Sequence, residues 1–390
     1  MKKMIEVFAP KQFQDLYLGA VDAVAGITKS FPEDAWRRRI KGDEEISRKI
    51  KQITSESGLM GLGVAEEFGG MGGGLFGQVM LTDLLWRKGI GSFNDLLTSF
   101  CRTPILKFGT EEQIKQYAQP TITGEKTFCI LATEPNAGTN TFRITTKATK
   151  RDGRWILNGQ KTFVTEAADS DYGFLISKTD IEQPGALSVF VVDMKKPGVT
   201  TQKLNINIGG GESQYTVFFD DVELPEDALI GEEGKGGRYM FEGLNAERLI
   251  VSAMCLGLST LALDVTTDYV SQRNLFGDKP TGAYQGVQHP LAQCKAELDA
   301  ARLMMYYAAK LFDQNEAVGL EANSTKLLAS ISANKLCDAA VQFHGGSGMD
   351  EDTGILYLWR WTRTLRIAPI NNEMVLNYIA EHALGLPKSY

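Results

Sequence analysis

Glu247 stands in the stretch "GLNAERLIVSAMCLGL", three residues after Leu244 and four before Val251. With Met254 and Leu258 these positions form one apolar face of a helix. A carboxylate on such a face is costly unless it is paired or put to chemical use. Two readings follow: a general base held in apolar surroundings, or a charge paired with Arg248 or placed at the helix rim. A second candidate lies in "LATEPNAGTNTFRITTKATKRDGRWILNGQKTFVTEA", from Leu131 to Ala167. Thr133, Thr139 and Thr165 offer hydroxyls, and Gly138 lets a ligand approach the backbone closely, a pattern suited to a cofactor. The plain alternative is a β-sheet rich in Thr for its strand propensity.

A third stretch, "RTLRIAPINNEMVLNYIAE", runs from Arg363 to Glu381. Apolar residues at helical spacing flank Pro369, but Pro-Ile-Asn-Asn cannot continue a helix. Two helices with a short non-helical joint between them are expected. "GGGLFG" at 72–77 formally fits GxGxxG, yet it follows no strand and belongs to no βαβ unit, so a close-packed or flexible glycine loop is the better reading. P-loop, nucleophile-elbow and HExxH patterns do not occur. Five cysteines without CxxC spacing and three scattered histidines indicate neither a metal site nor a disulfide framework.

These residues need elements to hold them. Residues 1–127 read mostly as helix, as in "DEEISRKIKQITSESGLMGLGV". Residues 128–238 read as strands: "RWILNGQKTFVT" alternates around Asn158-Gly159, which predicts a hairpin turn there, and Asp152-Gly153 predicts another. From 239 to 390 long helical runs return, such as "KLLASISANKLCDAAVQF". Helix, then β, then helix is an α+β layout of three domains.

The chain of 390 residues has ordinary hydrophobic (43%) and charged (23%) fractions, as a globular enzyme does. Its net charge of −7 argues against nucleic acid as the main partner. Uninterrupted apolar runs stay short of the roughly 18 residues that suggest a membrane span, and the N-terminal stretch does not resemble a secretory signal. A cytoplasmic protein without metal or membrane contact is expected.

"TEPNAGTN", "LNGQKTFVT", "FDDVELP", "SQRNLFG" and "QFHGGSG", with "GVAEEFGG" and "FGTEEQIKQY" before them, together resemble the successive signatures of the acyl-CoA dehydrogenase family. The resemblance implies a helical N-terminal domain, a central β domain and a C-terminal four-helix bundle. It implies FAD between the β domain and the bundle, reaching across a subunit interface. Thr133 and Thr165 would contact the isoalloxazine ring, and Phe163 would pack on it. Gly138 and Thr139 match the family's Gly-Ser near pyrophosphate and substrate. Arg273, Phe276 and Gln285 resemble residues that reach a neighbouring subunit's FAD, and Gln342 to Gly346 resemble the loop at its other end. A homodimer at least is implied, most often a tetramer, with an acyl-CoA substrate and an electron-transfer flavoprotein as acceptor.

One departure stands out. "LWRWTRTLRIAPINNEM" resembles the family segment that carries the catalytic Glu, and Pro369 occupies that Glu's position. Relatives resembling isovaleryl-CoA and long-chain acyl-CoA dehydrogenases place the base on a helix before an Arg, as "NAERL" does here, which makes Glu247 the candidate base. Asn245 and Arg248 would then contact or support the substrate, and Asn371 would lie beside the cofactor. Pro369 also lacks the N–H that the family uses on the thioester carbonyl. Either Ile370 donates instead, or the carbonyl relies on the flavin's ribityl hydroxyl, or the protein is a poor dehydrogenase. The expected function is α,β-dehydrogenation of an acyl-CoA. The alternatives are an elimination from a substituted acyl-CoA on the same fold, or a silent flavoprotein subunit.

Overall fold

The computed structural model describes residues 1–389 apart from 182, 184, 210 and 211. Helices come first: α1 (Lys2–Phe8), α2 (Gln14–Lys29), α3 (Ala35–Ile40), α4 (Glu44–Glu56), α5 (Gly74–Arg87), α6 (Phe93–Phe108) and the short α7 (Glu111–Gln113) and α8 (Gln119–Ile122). Asp43 caps α4 through the Glu45 and Ile46 N–H groups, and Thr110 with Gln113 forms a capping box at α7. The "GGGLFG" loop opens α5. The Asp313 carboxylate accepts the Leu75 and Phe76 N–H groups at 2.7 and 2.9 Å, so a side chain of the same protein already caps that helix N-terminus.

Two four-stranded sheets follow. One runs in the order β1 (Phe128–Leu131), β4 (Tyr172–Ser177), β5 (Ser188–Asp193), β8 (Leu229–Ile230). The other runs β2 (Lys147–Arg151), β3 (Arg154–Thr165), β7 (Gln214–Leu224), β6 (Val199–Lys203). Their inner faces share one core, in which Leu131, Leu175, Phe190 and Val192 meet Trp155, Leu157, Val217 and Phe219. The expected turn at Asp152-Gly153 joins β2 to β3, with both residues at positive φ (48° and 74°). The turn expected at Asn158-Gly159 is absent: β3 runs straight through it. Gly159 is there because Thr146, just ahead of β2, comes too close for a side chain. A Cβ on it would meet Thr146 Oγ1 at 2.6 Å, and the β3–β7 register shifts beside it.

The rest of the chain is α9 (Gly236–Gln272), the hairpin β9 (Asn274–Phe276) and β10 (Lys279–Pro280), α10 (Gln285–Asp313), α11 (Gly319–His344), α12 (Gly346–Met349), α13 (Ile355–Thr364) and α14 (Asn372–Leu384). By length and composition α9 is apolar enough to cross a membrane, although charges interrupt its runs. In its most apolar window 78% of residues are buried against other helices, which marks it as the core helix of the bundle. The N-terminal helices and the bundle share a core: Trp361 of α13 packs against Trp86 of α5 and Phe93 of α6, with ring centroids 5.8 and 4.9 Å apart. Such aromatic pairs add about 0.5–1.5 kcal/mol each beyond burial. A buried ion pair, Asp83 with Arg302 at 2.9 Å, ties α5 to α10.

Candidate active site

After β1 the chain makes a tight turn in which Glu134 and Ala137 exchange backbone hydrogen bonds of 3.1 and 3.0 Å. The turn leaves Gly138 and Thr139 exposed, with open space where a Cβ of residue 138 would stand. Beneath it the buried Lys161 ammonium donates to Ala132 O at 3.0 Å and to Glu134 Oε1 at 2.9 Å. Glu134 also accepts the Thr145 and Thr146 N–H groups, at 2.6 and 2.9 Å. Burial works against its charge, but Lys161 and these donors outweigh it and hold the carboxyl down at about 2. Thr133 is pinned to β3 where its carbonyl accepts the Thr162 N–H at 2.8 Å.

At the end of β3 the backbone leaves ordinary strand geometry. Phe163 and Glu166 both have φ of 55°, and the β3–β7 register shifts between Lys161 and Val164. Left-handed backbone at an aromatic residue costs on the order of 1–3 kcal/mol and is found where function demands it. Here it turns the Phe163 ring outward, 60% exposed, while Thr165 stays buried and accepts from Gln214 Nε2 at 2.8 Å. The Thr165 hydroxyl therefore keeps its own proton for another acceptor. An outward aromatic ring, the Thr133 and Thr165 hydroxyls and the space over Gly138 suit a flat, polar, phosphate-bearing cofactor.

Glu247 is buried on α9, as its place in the apolar stripe required. No hydrogen bond reaches its carboxylate from a described residue. Burial raises its pKa to about 7, against the opposing pull of the Arg248 and Lys326 charges. Arg248, also buried, donates from Nη1 to Asn245 Oδ1 at 3.2 Å, and its Nε has no partner among the described residues.

The expected joint lies between α13 and α14, with a cis bond at Ala368–Pro369. Asn371 caps α14, accepting the Met374 N–H at 2.9 Å, and its Nδ2 donates to Thr139 Oγ1 at 3.1 Å. Pro369 has no N–H, and neither the Ile370 nor the Asn371 N–H donates to a described residue. The joint is anchored from below by Lys326 of α11, whose ammonium donates to Ile370 O at 2.6 Å and to Asn372 Oδ1 at 2.7 Å. Sequence reasoning passed over Lys326, Asn372, Glu134 and Lys161. For Lys326 the signal was present: it sits in the stripe Ala322, Lys326, Ala329, Ala333, a charge among buried alanines at helical spacing.

Arg273, Phe276, Gln285, Gln342 and Gly346 are not brought to this loop. Arg273 ends α9, 26 residues after Glu247, or about 39 Å along the helix axis. Phe276 follows in the hairpin, 79% exposed. The Gln342–Gly346 segment lies at the same end of α9, where Tyr269 stacks on His344 with centroids 4.3 Å apart. The expected cofactor residues thus form two groups at two ends of α9.

The sequence matches the N-terminal domain of acyl-CoA dehydrogenases over residues 26–125, their middle domain over 129–222 and their C-terminal domain over 234–384. It is 36% identical over 373 residues to acyl-CoA dehydrogenase FadE12 of Mycobacterium tuberculosis, covering 94% of this chain and 96% of that protein. It is 32% identical over 344 residues to the 3-(aryl)acrylate reductase of Clostridium sporogenes, covering 87% and 91%. The structure of butyryl-CoA dehydrogenase from Megasphaera elsdenii superposes with a TM-score of 0.86 at 28% identity, over 95% of this chain and 98% of that one. The two-sheet middle region between helical parts, with the hydroxyl-lined loop facing the bundle, is that family's architecture. This chain belongs to the acyl-CoA dehydrogenase family.

Proposed function

We propose that this acyl-CoA dehydrogenase uses Glu247 as its base and converts an acyl-CoA thioester to the 2,3-enoyl-CoA. The observation that carries the reading is the Glu247 carboxylate: buried, without a hydrogen bond from a described residue, and titrating near neutrality while the joint holds Pro369. FAD is the cofactor, and bound it supplies the hydride acceptor for the carbon one further from the thioester. Glu247 removes the proton next to the thioester carbonyl, and its raised pKa suits a base working near pH 7. The enolate charge that develops needs donors, and the unused N–H groups of Ile370 and Asn371 supply them in place of residue 369. Asn245, Arg248 and Thr139 contact or support the substrate.

Thr133, Gly138, Thr139, Phe163, Thr165 and Asn371 hold the flavin half of the cofactor. Arg273, Phe276, Gln285, Gln342 and Gly346 serve the cofactor of a second copy of the chain, since they lie at the other end of α9. This favours a homodimer or a tetramer. An electron-transfer flavoprotein takes the electrons onward. The five cysteines are free and buried, in keeping with a cytoplasmic enzyme.

A second reading, elimination from a substituted acyl-CoA, is favoured by the missing N–H at Pro369. Anaerobic bleaching of the flavin separates the two. Butanoyl-, 3-methylbutanoyl-, octanoyl-, palmitoyl- and 3-phenylpropanoyl-CoA would be mixed with wild type and with Glu247→Gln; the aryl substrate is included because one relative is a 3-(aryl)acrylate reductase. Rapid bleaching by one acyl class that is lost in the variant supports dehydrogenation with Glu247 as base. A chemically reducible flavin that no acyl-CoA bleaches moves the reading to elimination or to a silent subunit.

A further inference from the structure

Lys326 is a fully buried lysine whose hydrogen bonds go to one place, the joint between α13 and α14. It holds the Ile370 carbonyl and the Asn372 side chain, and Asn372 Oδ1 accepts a second bond from Ser330 Oγ at 3.1 Å. The Asn372 N–H donates to Arg366 O at 3.1 Å, closing the joint on its other side. In a trans peptide the carbonyl and the following N–H point in opposite directions. Drawing the Ile370 carbonyl down to Lys326 therefore turns the Asn371 N–H away from the core. The Asn371 side chain bonds to Thr139 on the flavin loop at the same time. We propose that Lys326 is a positioning residue for catalysis: its ammonium anchors the joint so that the free backbone N–H groups of residues 370 and 371 meet the thioester carbonyl, and its charge supports the ionised Glu247. The inference rests on the reading of Glu247 as the base.

The titratable groups around the pair are defined. Arg248 and Cys255 of α9, Arg366 at the end of α13 and Glu373 of α14 face Lys326. Cys101 of α6 faces Glu247, and Tyr378 of α14 faces Arg248. Burial lowers Lys326 to about 8, so it stays charged while Glu247 titrates near 7. Asn372 Nδ2 is buried without a partner among the described residues, so a change at that atom breaks no hydrogen bond there.

The test uses the FAD-loaded enzyme in deuterated buffer with the same five acyl-CoAs. Exchange of the hydrogens next to the thioester is measured by mass spectrometry, alongside flavin bleaching. Exchange needs the base and the donors but not hydride transfer. Lys326→Met is expected to keep its FAD, lose roughly 10²–10³-fold in exchange rate as for a lost oxyanion donor, and keep KM within a few-fold. The rising limb of its pH profile moves up by roughly one unit because a positive charge beside Glu247 has gone. Lys326→Met with full FAD, wild-type exchange and an unmoved limb overturns the proposal. Should that variant not hold FAD, Asn372→Asp decides: it keeps the acceptor for Lys326 but sets a negative charge against it, so the limb must rise, and an unmoved limb overturns the proposal. Wild type that exchanges but is never bleached overturns dehydrogenation alone, and the variants still judge Lys326 by exchange. Wild type that does neither overturns both.

Discussion

Asn371 Nδ2 donates to Thr139 Oγ1 at 3.1 Å, joining the α13–α14 joint to the loop after β1 across 232 residues of sequence. The orientation of the amide is fixed, because its oxygen is occupied by the Met374 N–H as the cap of α14. One side chain thus serves the helix and the site at once. Asn371→Ser keeps a capping oxygen and removes the donor to Thr139; Asn371→Ala removes both. The Ala variant is expected to lose about 1 kcal/mol more stability than the Ser variant. Both are expected to bind FAD more weakly, as measured by flavin release in dilution series.

As the proposed base, Glu247 would have to be ionised to take a proton, so kcat/KM for flavin reduction is expected to rise with pH through an inflection near 7. Glu247→Gln is expected to lower the reduction rate by roughly 10²–10⁴-fold while FAD content stays at one per chain. Stopped-flow bleaching across pH 5.5–8.5 (about the stable range of a typical fold) measures both. A rate that stays flat across that range would assign the base elsewhere.

The same carboxylate weighs on stability, with a sign that can be worked out. Its folded pKa of about 7 lies above the ordinary 4.3 or so of an unfolded glutamate. Between those values the folded state binds more protons than the unfolded one, so this contribution to stability is lost as pH rises through the window. Glu247→Gln removes the penalty. It is expected to match wild type near pH 4 and to exceed it by on the order of 3 kcal/mol at pH 8. Urea midpoints of the two proteins at both pH values test this.

Lys161 and Glu134 form a buried pair under the loop that carries Gly138 and Thr139. Removing one member leaves an uncompensated buried charge, at a cost of about 3–5 kcal/mol. Lys161→Met is expected to pay it and to lose FAD, since Thr133, Gly138 and Thr139 sit on the turn this pair supports. Thermal unfolding and flavin content are the readouts. An unchanged melting point would show that solvent reaches Glu134.

Phe276 is 79% exposed in the single chain and supports no part of its core. Phe276→Ala is therefore expected to leave the secondary structure and its melting behaviour unchanged while weakening FAD retention through the second copy. Circular dichroism and flavin titration at several protein concentrations separate the two effects. Unchanged FAD affinity would remove Phe276 from the cofactor site.

Much of the fold was legible in the sequence because periodicity reports which face of an element is buried. It put Glu247 on a core-facing stripe, separated α13 from α14 at Pro369, and marked the turn at Asp152-Gly153. The ordered motifs from "TEPNAGTN" to "QFHGGSG" named the family. What periodicity does not report is which distant element covers that face. Asn158-Gly159 reads locally as a turn, and only the approach of Thr146 to within reach of a Cβ shows that the glycine permits strand packing instead. The glycine loop at 72–77 reads locally as a close-packed or flexible loop, and only the fold shows that Asp313, more than 230 residues away, caps the helix it opens. Lys326 carried the same local signal as Glu247, a charge in an apolar stripe, but its partners lie 44 and 46 residues further on. A sequence determines that a buried charge needs a partner, because desolvation is a local cost. Which partner it finds is decided by chain packing in three dimensions, and here that choice ties Lys326 of α11 to the joint between α13 and α14.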